Sequence, residues 1–227
     1  MRVVEVFHSL QGEGTLVGVP SVFVRLAGCP LRCRWCDTAY AWDYSVGEEL
    51  EPVEIVERVV RRPCRHVVLT GGEPLVGEDF GVRRGIVGLT HSLRALGKHV
   101  TIETAGTLFV PDLACDLMSI SPKLGNSASP EVPQIGCFDP AVLSQLITAY
   151  PYQLKFVIES PKDFDEVQRL LGLLHPVDSN CVLLMPQART WDQLREWSSM
   201  VAELCCKTGY RFCDRLHIFL WVEERGR

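Results

Sequence analysis

The 227-residue sequence predicts an α/β domain built on a mostly parallel sheet, closed or partly closed into a barrel. Three observations predict it. β-rich runs alternate with helical patterns along the chain, and no repeat, low-complexity tract or linker rich in Pro, Gly or Ser divides it. Hydrophobic residues make up 47% against 22% charged, enough to bury a sizeable core without disulfides. One domain over residues 1–227 is therefore expected.

The first two β-rich runs are residues 3–7 and 21–26. In the second, period-two alternation puts Val22, Val24 and Leu26 on one face and Phe23 and Arg25 on the other. Residues 52–62 read as a helix, with Val53, Val56, Val59 and Val60 apolar and Pro52 in the first turn. Strand runs follow at 66–70, 99–103, 115–120, 153–158, 181–185 and 216–222. Helical patterns fall at 85–96, 140–149, 163–174 and 191–207. In sheets of this kind chemistry collects at the carboxyl ends of the strands. Three polar loops lie there: residues 28–38, the Gly71-Gly72-Glu73-Pro74 turn, and Ser121-Pro122-Lys123.

The formal charge of −5 provides no cationic field for nucleic acid. No apolar stretch approaches the roughly 18 residues of a membrane span, and the N-terminus lacks a hydrophobic signal region, so a cytoplasmic protein is expected. In a reducing compartment the ten cysteines read as thiols or metal ligands. Cys64, Cys115, Cys137, Cys181, Cys205, Cys206 and Cys213 are scattered, whereas Cys29, Cys33 and Cys36 share one short loop.

Three soft thiolates on one loop suit three corners of an iron–sulfur cluster with the fourth iron open. They equally suit a structural zinc, with His217 or a distant Cys as fourth ligand. Gly71 and Gly72 place bare backbone where a ligand approaches closely, and Glu73 supplies a carboxylate for an ammonium group. His8, His66, His99 and His217 read as structural, and Trp191 and Trp197 as core or dimer contacts. Of Cys205 and Cys206, one side chain is expected to face the core and the other solvent.

The Cys29-x3-Cys33-x2-Cys36 spacing, with Trp35 before the last Cys and Gly-Gly-Glu-Pro after the next strand, resembles the radical S-adenosylmethionine enzymes. Leu10-Gln11-Gly12-Glu13-Gly14, the run from Phe23 through Arg25 to Cys29, Cys36-Asp37-Thr38, Thr70 to Pro74 and Ser121-Pro122-Lys123 together resemble the 7-carboxy-7-deazaguanine synthase family, over most of the chain.

The resemblance implies a partial or distorted (β/α)6-type barrel and a lyase reaction. In it, 6-carboxy-5,6,7,8-tetrahydropterin becomes 7-carboxy-7-deazaguanine with loss of ammonia, a step toward queuosine and related 7-deazapurines. It further implies that the radical is returned, so that S-adenosylmethionine is reused. Cys29, Cys33 and Cys36 would hold a 4Fe–4S cluster, and Thr38 would contribute to a Mg²⁺ ion. Trp35, Cys36, Asp37, Gly72, Glu73, Ser121, Pro122 and Lys123 would line S-adenosylmethionine. Leu10, Gln11, Gly12, Glu13, Arg25, Thr70, Met185, Pro186, Gln187 and Ala188 would contact the pterin. An electron donor such as flavodoxin and a homodimer are implied as partners, with neither nucleic acid nor membrane.

Residues 222–227, 40–50 and 125–138 carry no transferable pattern. Two rival readings are a radical activating enzyme acting on a partner protein, which leaves Gln11 to Gly14, Arg25 and Thr38 unexplained, and a zinc-stapled binding module. For Arg25, an ion pair with Glu5 or Glu13 competes with a bidentate clamp on a substrate carboxylate.

Overall fold

The computed structural model describes residues 1–76, 80–129, 138–174, 176–221 and 225–226. Its strands are β1 (Arg2–Leu10), β2 (Pro20–Leu26), β3 (Glu48–Glu49), β4 (His66–Gly71), β5 (His99–Thr104), β6 (Leu117–Ile120), β7 (Tyr152–Ile158), β8 (Val182–Pro186) and β9 (Arg211–Phe212). The helices are α1 (Pro52–Val60), α2 (Phe80–Ala95), α3 (Pro140–Ala149), α4 (Pro161–Leu173), α5 (Trp191–Thr208) and α6 (Leu216–Trp221). The strands form one nine-stranded sheet in the order β3-β1-β2-β4-β5-β6-β7-β8-β9. The strands from β2 to β9 are parallel to their neighbours, while β1 pairs antiparallel with both β2 and β3 at one edge. From β1 to β9 the order follows the sequence apart from β3, which sits outside β1 at the edge; this is barrel winding rather than the doubly wound arrangement, and the sheet stays open between β3 and β9.

The two faces of the sheet have different chemistry because side chains alternate. Val22, Val24, Val67, Leu69, Val100, Ile102, Met118, Ile120, Leu154, Phe156, Ile158, Val182 and Leu184 share one continuous core with residues of the helices. Their sequence neighbours Phe23, Arg25, Thr70, Glu103, Ser119, Lys155, Val157 and Met185 line a cavity on the other face. Register carries this through the sheet, with Arg25 opposite Thr70 and Glu103 opposite Ser119.

The helices start where local chemistry starts them. Glu51 and Glu54 form a capping box ahead of α1 with Pro52 in its first turn, and Ser160 with Asp163 does the same for α4. Thr190 caps α5, whose end is closed by Gly209 at φ 76°. On α5 Cys205 is buried and Cys206 exposed, as one thiol in and one out requires.

The run at 216–222, expected as a strand, is helical over Leu216–Trp221. An apolar run this short is ambiguous by periodicity alone. Edge pairing with β8 is already taken by β9, and the Leu216 amide is drawn to the Gly12 carbonyl at 2.9 Å, so the segment turns over the mouth of the cavity. The two-residue strands β3 and β9 carry no sequence signal of their own.

Gly71 and Gly72 are small for a reason beyond ligand access. A Cβ on Gly72 would lie 2.1 Å from the Gly28 carbonyl oxygen, and one on Gly71, at φ 155°, 2.3 Å from that of Leu26. The turn after β4 thus packs backbone to backbone on the loop carrying Cys29. Gly72→Ala is expected to lower the melting temperature and the iron content on reconstitution. Gly88→Ala, on an exposed turn of α2 with nothing within 4 Å of the new methyl, should stabilise the protein by about 0.5–1 kcal/mol. Thermal unfolding with iron analysis checks both.

Candidate active site

At the carboxyl ends of the strands lies a cavity of about 270 Å³ that takes side chains from nearly every strand of the sheet. Cys29, Cys33 and Cys36 all line it. Their loop is held by backbone bonds from Gly28 N to Ala41 O (2.9 Å), Cys29 N to Trp42 O (3.1 Å) and Cys36 N to Cys33 O (3.1 Å). Arg32 Nη1 donates to the carbonyls of Cys29 and Leu31, and its guanidinium lies 5.1 Å from the Trp42 ring centroid. Cys29 and Cys33 are buried and Cys36 is partly exposed. Burial pushes the Cys29 thiol up to about 11.

Among the described residues no three His, Cys, Asp or Glu side chains are arranged to hold one metal ion. Three thiols lining one cavity supply one soft ligand for each of three irons, so the donor set fits a 4Fe–4S cluster.

Beside the cysteines, Glu73 is 2% exposed, and both its oxygens accept hydrogen bonds. It accepts from Thr104 Oγ1 (2.6 Å) and the amides of Ala105 (2.6 Å) and Leu75 (3.1 Å). Burial pushes its carboxyl up against the pull of these donors. Lys123 Nζ donates to the Ser121 carbonyl and hydroxyl, both at 2.9 Å, and lies 5.6 Å from the Trp35 ring centroid. Trp35 is anchored by its indole N–H on the Asn126 carbonyl at 3.2 Å.

A network of paired charges also lines the cavity. Lys155 Nζ donates to Glu13 Oε2 at 2.8 Å and Arg215 Nε to Glu13 Oε1 at 3.1 Å. Gln11 donates to Glu103 Oε1 at 3.0 Å while its own Oε1 accepts the Glu13 amide at 3.1 Å. Burial alone would raise the Glu13 carboxyl, but Lys155 and Arg215 hold it far below the usual carboxylate range. The pairing likewise holds Lys155 above its ordinary value, against its own burial. Arg25 Nε donates to Glu5 Oε1 at 2.8 Å, and its guanidinium lies 5.7 Å and 5.8 Å from the Phe7 and Tyr40 ring centroids. The ion pair therefore exists with Glu5 and not Glu13, and Arg25 still lines the cavity.

Residues 23–123 match the model of the Radical SAM superfamily. Over its full length the chain is 39% identical to a 7-carboxy-7-deazaguanine synthase of Pyrobaculum aerophilum, covering 100% of this chain and 97% of that protein. The chain belongs to the 7-carboxy-7-deazaguanine synthase family. The synthase of Escherichia coli K12 is 29% identical, with 95% of this chain and 96% of that one covered. The crystal structure of QueE from Escherichia coli matches with a TM-score of 0.72 at 26% identity, covering 95% of this chain and 94% of that one. Radical SAM membership carries with it a 4Fe–4S cluster and S-adenosylmethionine. Neither the activating-enzyme nor the zinc-module reading is favoured.

For this synthase the residues expected from the sequence come together with few exceptions. Trp35, Cys36, Asp37, Thr38, Gly72, Glu73, Ser121 and Lys123 line the cavity, as do Leu10, Gln11, Gly12, Glu13, Arg25, Thr70 and Met185. Pro122, Pro186, Gln187 and Ala188 do not. After Met185 the chain turns into the wall, where the Gln187 amide bonds the Ile158 carbonyl and Ala188 packs with Leu194 and Ile218.

Sequence reasoning missed Glu103, Lys155, Arg215 and His217. Glu103 and Lys155 sit at the inward phase of strands already located, so the alternation that placed Arg25 would have found them. His217, read as structural, lies so close over Gly12 that a Cβ there would be 2.2 Å from its Nδ1. Cys137 and residues 222–224 and 227 lie outside the described residues.

The depressed Glu13 carboxyl stabilises the fold above its ordinary pKa of 4.5, and this contribution is lost as pH falls below that value toward the folded one. Glu13→Gln leaves Lys155 and Arg215 without their shared partner, an expected loss of about 3–5 kcal/mol at pH 7. Denaturant unfolding of both proteins should show a narrower gap at pH 3; an equal gap would count against the ion pair as the cause.

Proposed function

We propose that the chain converts 6-carboxy-5,6,7,8-tetrahydropterin to 7-carboxy-7-deazaguanine with loss of ammonia, in the making of queuosine and related 7-deazapurines. The observation that carries this reading is one cavity lined by three thiols with Glu73, Ser121 and Lys123 and also by Gln11, Glu13 and Arg25. Held by Cys29, Cys33 and Cys36 and by the residues beside them, the 4Fe–4S cluster and S-adenosylmethionine would supply radical chemistry able to abstract hydrogen from the substrate.

Cys29, Cys33 and Cys36 hold the cluster. Trp35, Asp37, Gly72, Glu73, Ser121 and Lys123 receive S-adenosylmethionine, Glu73 offering its carboxylate to the ammonium. Glu5 engages Arg25 through Nε and leaves the two terminal nitrogens as a fork for the substrate carboxylate. The Glu13 carboxylate, ionised and held from two sides, accepts the N–H groups of the aminopyrimidine edge on its remaining lone pairs. Leu10, Gly12, Thr70 and Met185 complete the contact surface, with Phe7, Phe23 and Trp42 excluding water from a reactive intermediate.

The reading extends to a Mg²⁺ ion at Thr38, whose hydroxyl lines the cavity 3.6 Å from Cys36 Sγ. It extends also to a flavodoxin-type electron donor and to a homodimer, for which the exposed Trp191–Phe219 pair offers apolar surface. A cytoplasmic location accords with nine described cysteines, none of them in a disulfide. No helix among the described residues is long and apolar enough to cross a membrane.

Cys33→Ala is expected to abolish cluster iron and S-adenosylmethionine cleavage while Cys64→Ala and Cys181→Ala keep both, checked by anaerobic absorption spectra and iron analysis. Arg25→Lys should raise KM for the pterin by about 10-fold or more with little change in melting temperature, since the charge stays and the fork is lost. A KM equal to wild type removes Arg25 from the substrate. Thr38→Ala should weaken the dependence of turnover on Mg²⁺; a wild-type rate with chelator present ends the metal proposal.

A further inference from the structure

Arg215 was silent in the sequence, yet one side chain joins three loops. It sits between β9 and α6 and is 8% exposed. Its Nε donates to Glu13 Oε1 at 3.1 Å, its Nη2 to Asp37 Oδ2 at 2.8 Å, and its Nη1 to the Ala188 carbonyl. Glu13 belongs to the loop after β1, Asp37 follows the third cysteine, and Ala188 lies just beyond β8. The guanidinium is planar with its donors in fixed directions, so three partners on one fork keep fixed positions relative to each other. Two carboxylates offset the cost of burying the charge, and neither carries a backbone bond that would hold its loop to the other.

We propose that Arg215 is a positioning residue: it locks the loop facing the pterin to the loop carrying the cluster, and so sets the gap across which hydrogen moves out and back. The proposal rests on the functional reading above. Transfer needs reacting atoms about 3–3.5 Å apart, and a displacement of about 1 Å costs on the order of 100-fold. In a loosened gap the hydrogen atom taken from the pterin is not handed back, so each such event uses one electron from the flavodoxin-type donor and converts S-adenosylmethionine to methionine and free 5′-deoxyadenosine instead of recycling it.

The test uses anaerobically reconstituted full-length protein. Arg215→Lys keeps the charge but reaches only one partner. Hydrogen–deuterium exchange is expected to rise together at residues 11–17 and 36–41, and the 5′-deoxyadenosine released per product to rise about 10-fold. Loosening of one loop alone overturns the lock, and loosening of both with an unchanged ratio reduces Arg215 to a structural contact. Should Arg215→Lys lose its iron or unfold, Asp37→Asn decides, because it removes the ion pair between the loops and leaves the buried Arg215–Glu13 pair, and the S-adenosylmethionine affinity measured beside it separates this from the contact Asp37 makes with the cofactor. Asp37→Asn should raise the same ratio, with no further rise in the double variant; an unchanged ratio overturns the proposal. Wild-type protein that yields no product from the pterin sinks the functional reading instead. The lock is then decided by exchange in the two loops and by S-adenosylmethionine affinity, which Arg215→Lys must weaken for the lock to stand.

Discussion

Glu13 has both carboxylate oxygens taken, one by Lys155 from the sheet and one by Arg215 from beyond its last strand, and this shared contact is what allows a charged loop to fill a barrel lumen. An unpaired carboxylate or ammonium there would be costly by desolvation. Paired, the three groups fold residues 11–19 across the sheet toward β7, where the Thr15 amide also meets Gln153 Oε1 at 2.9 Å. With the loop in place Gln11, Gly12 and Glu13 line the same cavity as the cysteines.

The same sheet that buries an apolar core against its helices offers a polar face to the cavity, because alternate residues point to opposite sides. Parallel pairing from β2 to β9 brings the carboxyl ends of these strands to one rim, and the loops there pack closely on each other. The Gly72 turn lies against the Gly28 carbonyl, and the Glu73 amide donates to that same oxygen at 2.7 Å. Glu73 is thereby fixed to the cysteine loop by its backbone and to β5 and the residue after it by its side chain. The rigidity a radical reaction demands is built from these short-range contacts.

Arg25 shows how one residue answers to both structure and chemistry. Glu5 on the neighbouring antiparallel strand takes its Nε, and Glu5 is itself held by the Tyr40 hydroxyl at 2.8 Å and by Arg225 Nε at 3.1 Å. A fork steadied on one side presents its other side in a defined direction. The ion pair and the clamp, rivals when read along the chain, are compatible in space.

The sequence by itself determined the strand–helix alternation, the inward phase of Arg25 and the cysteine loop, because each rests on spacing within one segment, where period and turn chemistry act locally. It determined most of the cavity wall for the same reason: short motifs at strand ends are carried to the rim by any barrel-type winding. It did not determine the helix at Leu216–Trp221, whose apolar run suits either state until β9 has taken the sheet edge and Gly12 claims the Leu216 amide. Nor could it pair Glu13 with Lys155 and Arg215, or place His217 over Gly12. Those partners are separated by well over a hundred positions, and which buried charges meet is decided only when the closing sheet brings distant strands to one lumen.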